Sequence, residues 1–132
     1  KGKLMRERPM GDDLLIMARQ VLREELLELL PEERRYDALM VANAMAIAAR
    51  QIKFGDTPER HESKALADLL GETVKESDAT TVNDILSDLY HKLGDKIRIG
   101  EFDPGMPSHD NLYAFLLEVT MQKLRESAPK FL

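Results

Sequence analysis

Apolar residues recur along the chain with the spacing of one face of an α-helix, and this pattern predicts five helices and no strand. The first helix begins at about Asp12, its expected N-cap, and continues to Leu30. Pro31 breaks it and is tolerated in the first turn of a second helix over 32–54, which Gly55 ends. The apolar face of the first helix consists of Leu15, Ala18, Leu22, Leu26 and Leu29.

Two further helices have clear start and stop signals. Thr57-Pro58-Glu59 is typical of a cap, a first-turn proline and an acidic first turn, so a third helix is expected to reach Leu70 and to end at Gly71. The fourth helix starts near Thr81, with Asp84 three residues on as a variant of the capping box. Its stripe is the clearest in the chain: Val82, Ile85, Leu86, Leu89, Leu93 and Ile97.

The fifth helix follows the segment 100–110, which holds two glycines and two prolines and must be a loop. Ser108 or Asp110 is the expected cap, and Pro129 stops the helix. The side chains expected to face inward are Leu112, Phe115, Leu116, Val119 and Leu124.

The second helix stands apart because twelve consecutive residues, Ala38 to Ala49, carry no charge. A helix that is apolar nearly all round is expected to be buried on most sides. The pattern therefore predicts an all-α, single-domain bundle over 12–132, with about five helices around this alanine-rich central helix. Residues 1–11 are expected to form a poorly ordered N-terminal extension.

Tyr36, Asn43 and Arg50 are seven residues apart and therefore share one stripe of the second helix, with Met40 and Ile47 between them. One interpretation is that Asn43 is a buried amide that fixes helix register, bonded to a neighbouring group. The other is that the three polar residues line a seam that holds a ligand or a partner's carboxylate. The first interpretation is favoured, because buried polar groups are normally satisfied internally.

Charge and composition exclude several functional classes. The net charge is −5 and basic residues are interspersed with acids, which argues against nucleic-acid binding. The absence of cysteine excludes thiol nucleophiles, thiolate zinc sites and iron–sulfur clusters, and it suits a cytoplasmic protein. The longest uncharged run is too short to cross a bilayer, so no membrane partner is expected.

Candidate catalytic groups are few. Asp88, His91 and Asp95 share a helical face, but a di-iron bundle needs two such acid–histidine pairs and further glutamates, so we expect no metal and no cofactor. His61 and His109 have no partners in the sequence for triad catalysis, and no catalytic residues are assigned.

The loop after the fourth helix contains Phe102 between Glu101 and Asp103, with Arg98 just before it. The favoured interpretation is that Phe102 is an aromatic plug that holds the loop on the bundle. The alternative is a recognition loop, because loops on rigid scaffolds often carry function.

Four segments together resemble one family: "RERP" (6–9), "RYDALMVANAMAIAAR" (35–50), "IRIGEFD" (97–103) and "PKFL" (129–132). It is a bacterial, all-helical family of unknown function. Its members are encoded beside, or fused after, phosphotransferases similar to aminoglycoside and choline kinases, often near acyl-CoA dehydrogenases. The chain departs from the family's usual pattern at Gln51 and Ala128.

The resemblance implies a non-catalytic accessory or interaction domain that works with a kinase-like phosphotransferase. Independently, the apolar second helix leaves room for self-association, so a homodimer is a possible assembly. Contact candidates are Tyr36, Asn43 and Arg50, together with Phe102, Asp103 and the end of the chain at Lys130. The alternative is a bundle that binds an acidic, acyl-CoA-like small molecule, or an enzyme with an unfamiliar site. Arg50, Arg98 and Lys123 are then the candidate partners of the anion.

Overall fold

The computed structural model describes residues 10–74 and 80–132, and within these ranges it contains five α-helices and no strand. The predicted all-α class is confirmed. The proposed extension over 1–11 lies almost wholly outside the described residues. The helices are α1 (Gly11–Val21), α2 (Glu32–Phe54), α3 (Thr57–Leu70), α4 (Val82–Arg98) and α5 (Ser108–Ser127).

The chain divides into two compact units, Lys1–Gly55 and Asp56–Leu132. In the first unit, α1 and α2 pack as an antiparallel pair, which we call the α1–α2 hairpin. Arg19 of α1 donates from Nε to the carbonyl oxygen of Ala42 at 3.1 Å. At the other end of the pair, Gly11 of α1 lies beside Ile52 of α2.

The ends of α1 differ from the prediction. Met10 is the N-cap residue, and its backbone N–H donates to the carboxylate of Asp13 at 3.3 Å, so the expected cap at Asp12 is wrong. The α-helix stops at Val21 and continues as a wide π turn over Leu22–Leu26 and a tight 3₁₀ turn over Leu27–Leu29. Apolar spacing alone does not distinguish these turns from α-helix, because all three place residues three to five apart on one side.

Helix α2 has the predicted bounds, but it is buried along one stripe and not on most sides. The buried residues are Ala38, Ala42 and Ala49, which lie on one face of the helix. Alanine side chains at these positions allow α1 to approach closely. The larger apolar side chains of α2 lie mainly on its other faces, where many are exposed.

The second unit has the predicted helix signals at three of its ends. Helix α3 begins with Pro58 in its first turn and ends at Gly71, whose φ of 68° is left-handed. Thr81 caps α4 by accepting from the backbone N–H of Asp84 at 3.2 Å, and the Asp84 carboxylate in turn accepts from the Thr81 backbone. The first-turn proline, the terminating glycine and the cap at Thr81 are confirmed, because these signals act within one turn of the chain. The expected cap at Thr57 is wrong, because Thr57 is the first helical residue and the N-cap is Asp56, whose side chain makes no capping hydrogen bond.

The start of α5 is built differently from the prediction. Its N-cap residue is Pro107, and no side chain caps the helix. The hydroxyl of Ser108 donates instead to the carbonyl oxygen of Glu101 across the loop, and Asp110 lies within the first turn. Of the residues expected to face inward, Leu112 and Phe115 are buried and Leu116 is exposed.

One hydrophobic core holds the second unit together. Helix α3 packs against both α4 and α5, and the loop between α4 and α5 contributes an aromatic side chain. The buried members of this core are Leu66, Ala67, Leu70, Leu89, Leu93, Phe102, Leu112 and Phe115.

Candidate functional site

The predicted polar stripe of α2 lies on the side of the helix away from its buried alanines. At 100° per residue, Tyr36, Asn43 and Arg50 fall roughly opposite Ala38, Ala42 and Ala49. Met40, Ile47 and Phe54 complete the same stripe. We call these six residues the α2 stripe: Tyr36, Met40, Asn43, Ile47, Arg50 and Phe54.

None of the six residues of the α2 stripe is fully buried, and four of them are exposed. Met40 is 53% exposed, Asn43 is exposed, and Ile47 and Arg50 are partly buried. The favoured interpretation of Asn43 as a buried amide is therefore wrong for the chain by itself. Arg50 does interact with other groups in this structure.

Helix α1 also presents large apolar side chains to solvent. Leu14, Met17 and Val21 are spaced by three and four residues, so they share one face of α1, and all three are exposed. No residue of α1 is buried. The exposed large apolar side chains in the described part of the first unit are Met10, Leu14, Ile16, Met17, Val21, Leu26, Leu29, Tyr36, Leu39, Met40, Val41, Ile52 and Phe54.

The loop between α4 and α5 is held by its own backbone and by Phe102. Phe102 is 6% exposed and belongs to the core of the second unit, as the plug interpretation predicts. The ring nitrogen Nδ1 of His109 is 2.9 Å from the carbonyl oxygen of Phe102. Gly100 has a φ of 86°, and a Cβ there would lie 2.9 Å from the carboxylate of Asp103. The loop geometry thus selects glycine at position 100.

The remaining basic candidates lie at the surface of the second unit. Arg98 is exposed at the end of α4 and donates to Asp95 at 2.7 Å. Lys123 is exposed on α5. Lys130 lies in the short 3₁₀ turn after α5, with its Nζ 5.2 Å from the centre of the Phe131 ring.

The three residues weighed as metal ligands are engaged elsewhere. Asp88 pairs with Lys92 at 3.2 Å, and Asp95 pairs with Arg98. The Nδ1 of His91 lies 2.7 Å from the carbonyl oxygen of Ser87, one turn back on α4. In the part of the chain that the structure describes, no three histidine, aspartate or glutamate side chains form a group able to hold a metal ion.

Two polar contacts in the second unit were not predicted from the sequence. The hydroxyl of Tyr90 donates to the carboxylate of Glu62, which joins α4 to α3. Burial, together with this hydrogen bond and the charge of Glu62, raises the pKa of Tyr90 well above its ordinary value. The sequence does indicate that Tyr90 lies near the core, since it follows Leu86 by four residues and therefore adjoins the apolar stripe of α4.

Lys92 forms the second unpredicted contact. Its Nζ lies 2.8 Å from the carboxylate of Glu72 and 3.2 Å from that of Asp88. Its hydrogen bond to Glu72, and to a smaller extent the one to Asp88, raise the pKa of Lys92 above its ordinary value. Lys96 lies one turn further on, and it donates to the carbonyl oxygen of Leu70 at the end of α3.

None of the helices in the described residues combines the length and the hydropathy needed to cross a bilayer. Comparisons with curated proteins and with solved structures found no match. A family model described as "Domain of unknown function (DUF6285)" matches residues 28–131, which include α2 and all the helices of the second unit. The chain belongs to this family of uncharacterised proteins.

Proposed function

We propose that the chain is a non-catalytic interaction domain whose α1–α2 hairpin binds a kinase-like phosphotransferase. The observation that carries this proposal is the distribution of apolar side chains in the first unit. Only alanines are buried in α1 and α2, while thirteen larger apolar side chains among the described residues of the first unit are exposed. Exposed apolar surface of this extent is typical of protein interaction sites.

The kind of partner is taken from the family that the sequence resembles. Its members accompany phosphotransferases similar to aminoglycoside and choline kinases. Helix α1 supplies the contact, through the face formed by Leu14, Met17 and Val21. Acidic residues, among them Glu24 and Glu25, flank the C-terminal end of this face. This arrangement of an apolar centre and a charged rim resembles the anatomy of protein interfaces.

The acidic-ligand alternative has less support. Arg98 already pairs with Asp95, and both Arg98 and Lys123 are exposed. Small-molecule sites are concave and enclose most of the ligand, which exposed side chains on a helix do not do.

The proposal is tested by titrating the chain into a phosphotransferase similar to aminoglycoside or choline kinases, of the kind that the resemblance implies, and measuring binding by calorimetry. Leu14→Glu places a charge on the proposed face of α1, and Leu117→Glu makes the same change on α5. The two leucines are 53% and 51% exposed, so they are closely matched. We expect Leu14→Glu to weaken binding by about tenfold or more and Leu117→Glu to leave it unchanged.

Two results would overturn the proposal: no complex between the wild-type chain and the phosphotransferase, or equal weakening by the two variants. Phosphotransferase turnover, measured with and without the chain, then shows whether binding alters the kinase step. The helical content of each variant should match that of the wild type, because both leucines are exposed.

A further inference from the structure

The α2 stripe has the spacing of a coiled-coil seam. Its six residues follow one another at intervals of four, three, four, three and four residues. This alternation is the heptad repeat that places side chains along the contact line of two packed helices. The stripe is about 27 Å long, from the rise of 1.5 Å per residue between Tyr36 and Phe54. It is turned away from α1, because α1 covers the alanines on the opposite side.

We propose that the α2 stripe packs against the α2 stripe of a second copy of the chain, in antiparallel orientation. This inference rests on the proposed role of the hairpin as an interaction domain, and it names a second partner for a different face. A two-fold contact is self-complementary, so one stripe is sufficient to form it.

Charge along α2 supports a second copy as the occupant. The central residues Ala38 to Ala49 carry no charge, so two copies approach there without repulsion. Residues 32–37 carry a net charge of −1 and residues 50–54 a net charge of +2. An antiparallel arrangement places each acidic end against a basic end, whereas a parallel arrangement places like charges together. The helix dipoles favour the same orientation.

The register follows from the spacing. With the two-fold axis near residue 45, Tyr36 faces Phe54 of the second copy, and Met40 faces the aliphatic stem of Arg50 of the second copy. The two Asn43 residues then lie about 6 Å apart along the helix axis, from four residues at 1.5 Å each. The same register places each Asn43 opposite Ile47 of the second copy, about one helical turn from the other Asn43. Asn43 lies at the middle of the stripe between Met40 and Ile47, and an amide at such a position fixes the register of packed helices, which gives Asn43 its role.

The first test is the solution mass, measured by light scattering from micromolar to hundreds of micromolar. The chain has a mass of 15.0 kDa. We expect wild type at twice this mass, Met40→Glu at the single-chain mass, and Met17→Glu still at twice. Met40 and Met17 are matched, at 53% and 56% exposed in the same unit, and only Met40 belongs to the stripe.

A single-chain mass for wild type at every concentration overturns the inference, and so does equal dissociation of both variants. The phosphotransferase titration is independent of this result. A monomeric chain that binds the phosphotransferase removes the second copy and keeps the proposed function. A dimer that does not bind the phosphotransferase keeps the second copy and removes the phosphotransferase as the partner.

The orientation has its own test, because the chain contains no cysteine. Tyr36→Cys and Phe54→Cys chains, one of them carrying a tag, are mixed and oxidised. Antiparallel packing brings the two different cysteines together, so the mixed disulfide is expected to exceed both homodisulfides. A predominance of Tyr36→Cys homodisulfide identifies a parallel pair and overturns the proposed orientation.

Discussion

The guanidinium Nε of Arg19 donates to the carbonyl oxygen of Ala42 at 3.1 Å, where the last turn of α1 meets α2. The acceptor already belongs to the hydrogen-bonded ladder of α2, and a carbonyl oxygen has a second lone pair for this contact. The approach requires a small side chain on α2, and Ala42 is buried against α1. Close packing of the two helices thus depends on the alanine stripe.

Substitution of Ala42 by leucine should destabilise the hairpin. The larger side chain has no room at this buried position and is expected to cost about 1–3 kcal/mol of the free energy of unfolding. Ala44→Leu is the control, because Ala44 is exposed on α2. That variant should stay within about 0.5 kcal/mol of wild type. Urea unfolding, monitored by circular dichroism, measures the free energy of unfolding of both variants. Equal losses in the two variants would contradict the packing described for α2.

Removal of the Phe102 ring should open a cavity in the core of the second unit. Phe102→Ala is expected to lower the free energy of unfolding by about 3–5 kcal/mol. Phe131→Ala is the matched control, since Phe131 is 72% exposed and its loss should cost about 0.5 kcal/mol or less. Thermal unfolding of the two variants decides the point. A small effect at Phe102 would return the loop to the alternative role in recognition.

Replacement by alanine is expected to affect stability differently at two threonines, because Thr81 caps α4 and Thr120 lies within α5. Thr81→Ala removes the acceptor for the backbone N–H of Asp84 and should cost about 0.5–2 kcal/mol. Thr120 lies within α5, where its hydroxyl donates to the carbonyl oxygen of Leu116. Thr120→Ala should be neutral or slightly stabilising, because alanine has the higher helix propensity. Denaturant midpoints of the two variants provide the comparison.

The contact between Tyr90 and Glu62 predicts a loss of stability at alkaline pH. Folding raises the pKa of the Tyr90 phenol, so the folded state holds a proton that the unfolded state releases above about pH 10. The stabilisation is complete below that pH and declines as the pH rises towards the raised pKa. We expect the free energy of unfolding to fall as the pH rises above about 10, and this slope to flatten in Tyr90→Phe. Tyr113→Phe, at an exposed residue, should keep the wild-type slope.

Several features of the fold were predictable because they depend on neighbouring residues in the chain. The bounds of α2 and α3 and the caps at Gly71 and Thr81 agree with the sequence prediction. Each rests on a proline, a glycine or a side-chain oxygen that acts within one turn. The same rules were wrong where another local partner competed, as for Asp12 and for Ser108.

The candidate site was predictable only in part. The seven-residue spacing of Tyr36, Asn43 and Arg50 correctly placed them on one stripe of α2, because helix geometry fixes that relationship. Whether the stripe was buried did not follow from the spacing. The structure leaves Asn43 exposed and buries the alanines on the other side instead.

The sequence by itself determined that the chain is helical, where α2 and α3 lie, and which side chains share a face. Only the tertiary structure decided that α1 packs on the alanines of α2, that Phe102 enters the core of α3, α4 and α5, and that Tyr90 reaches Glu62. The physical reason is that the hydrophobic effect has no direction, so an apolar stripe requires cover but does not specify what covers it. That choice depends on contacts between residues far apart in the chain.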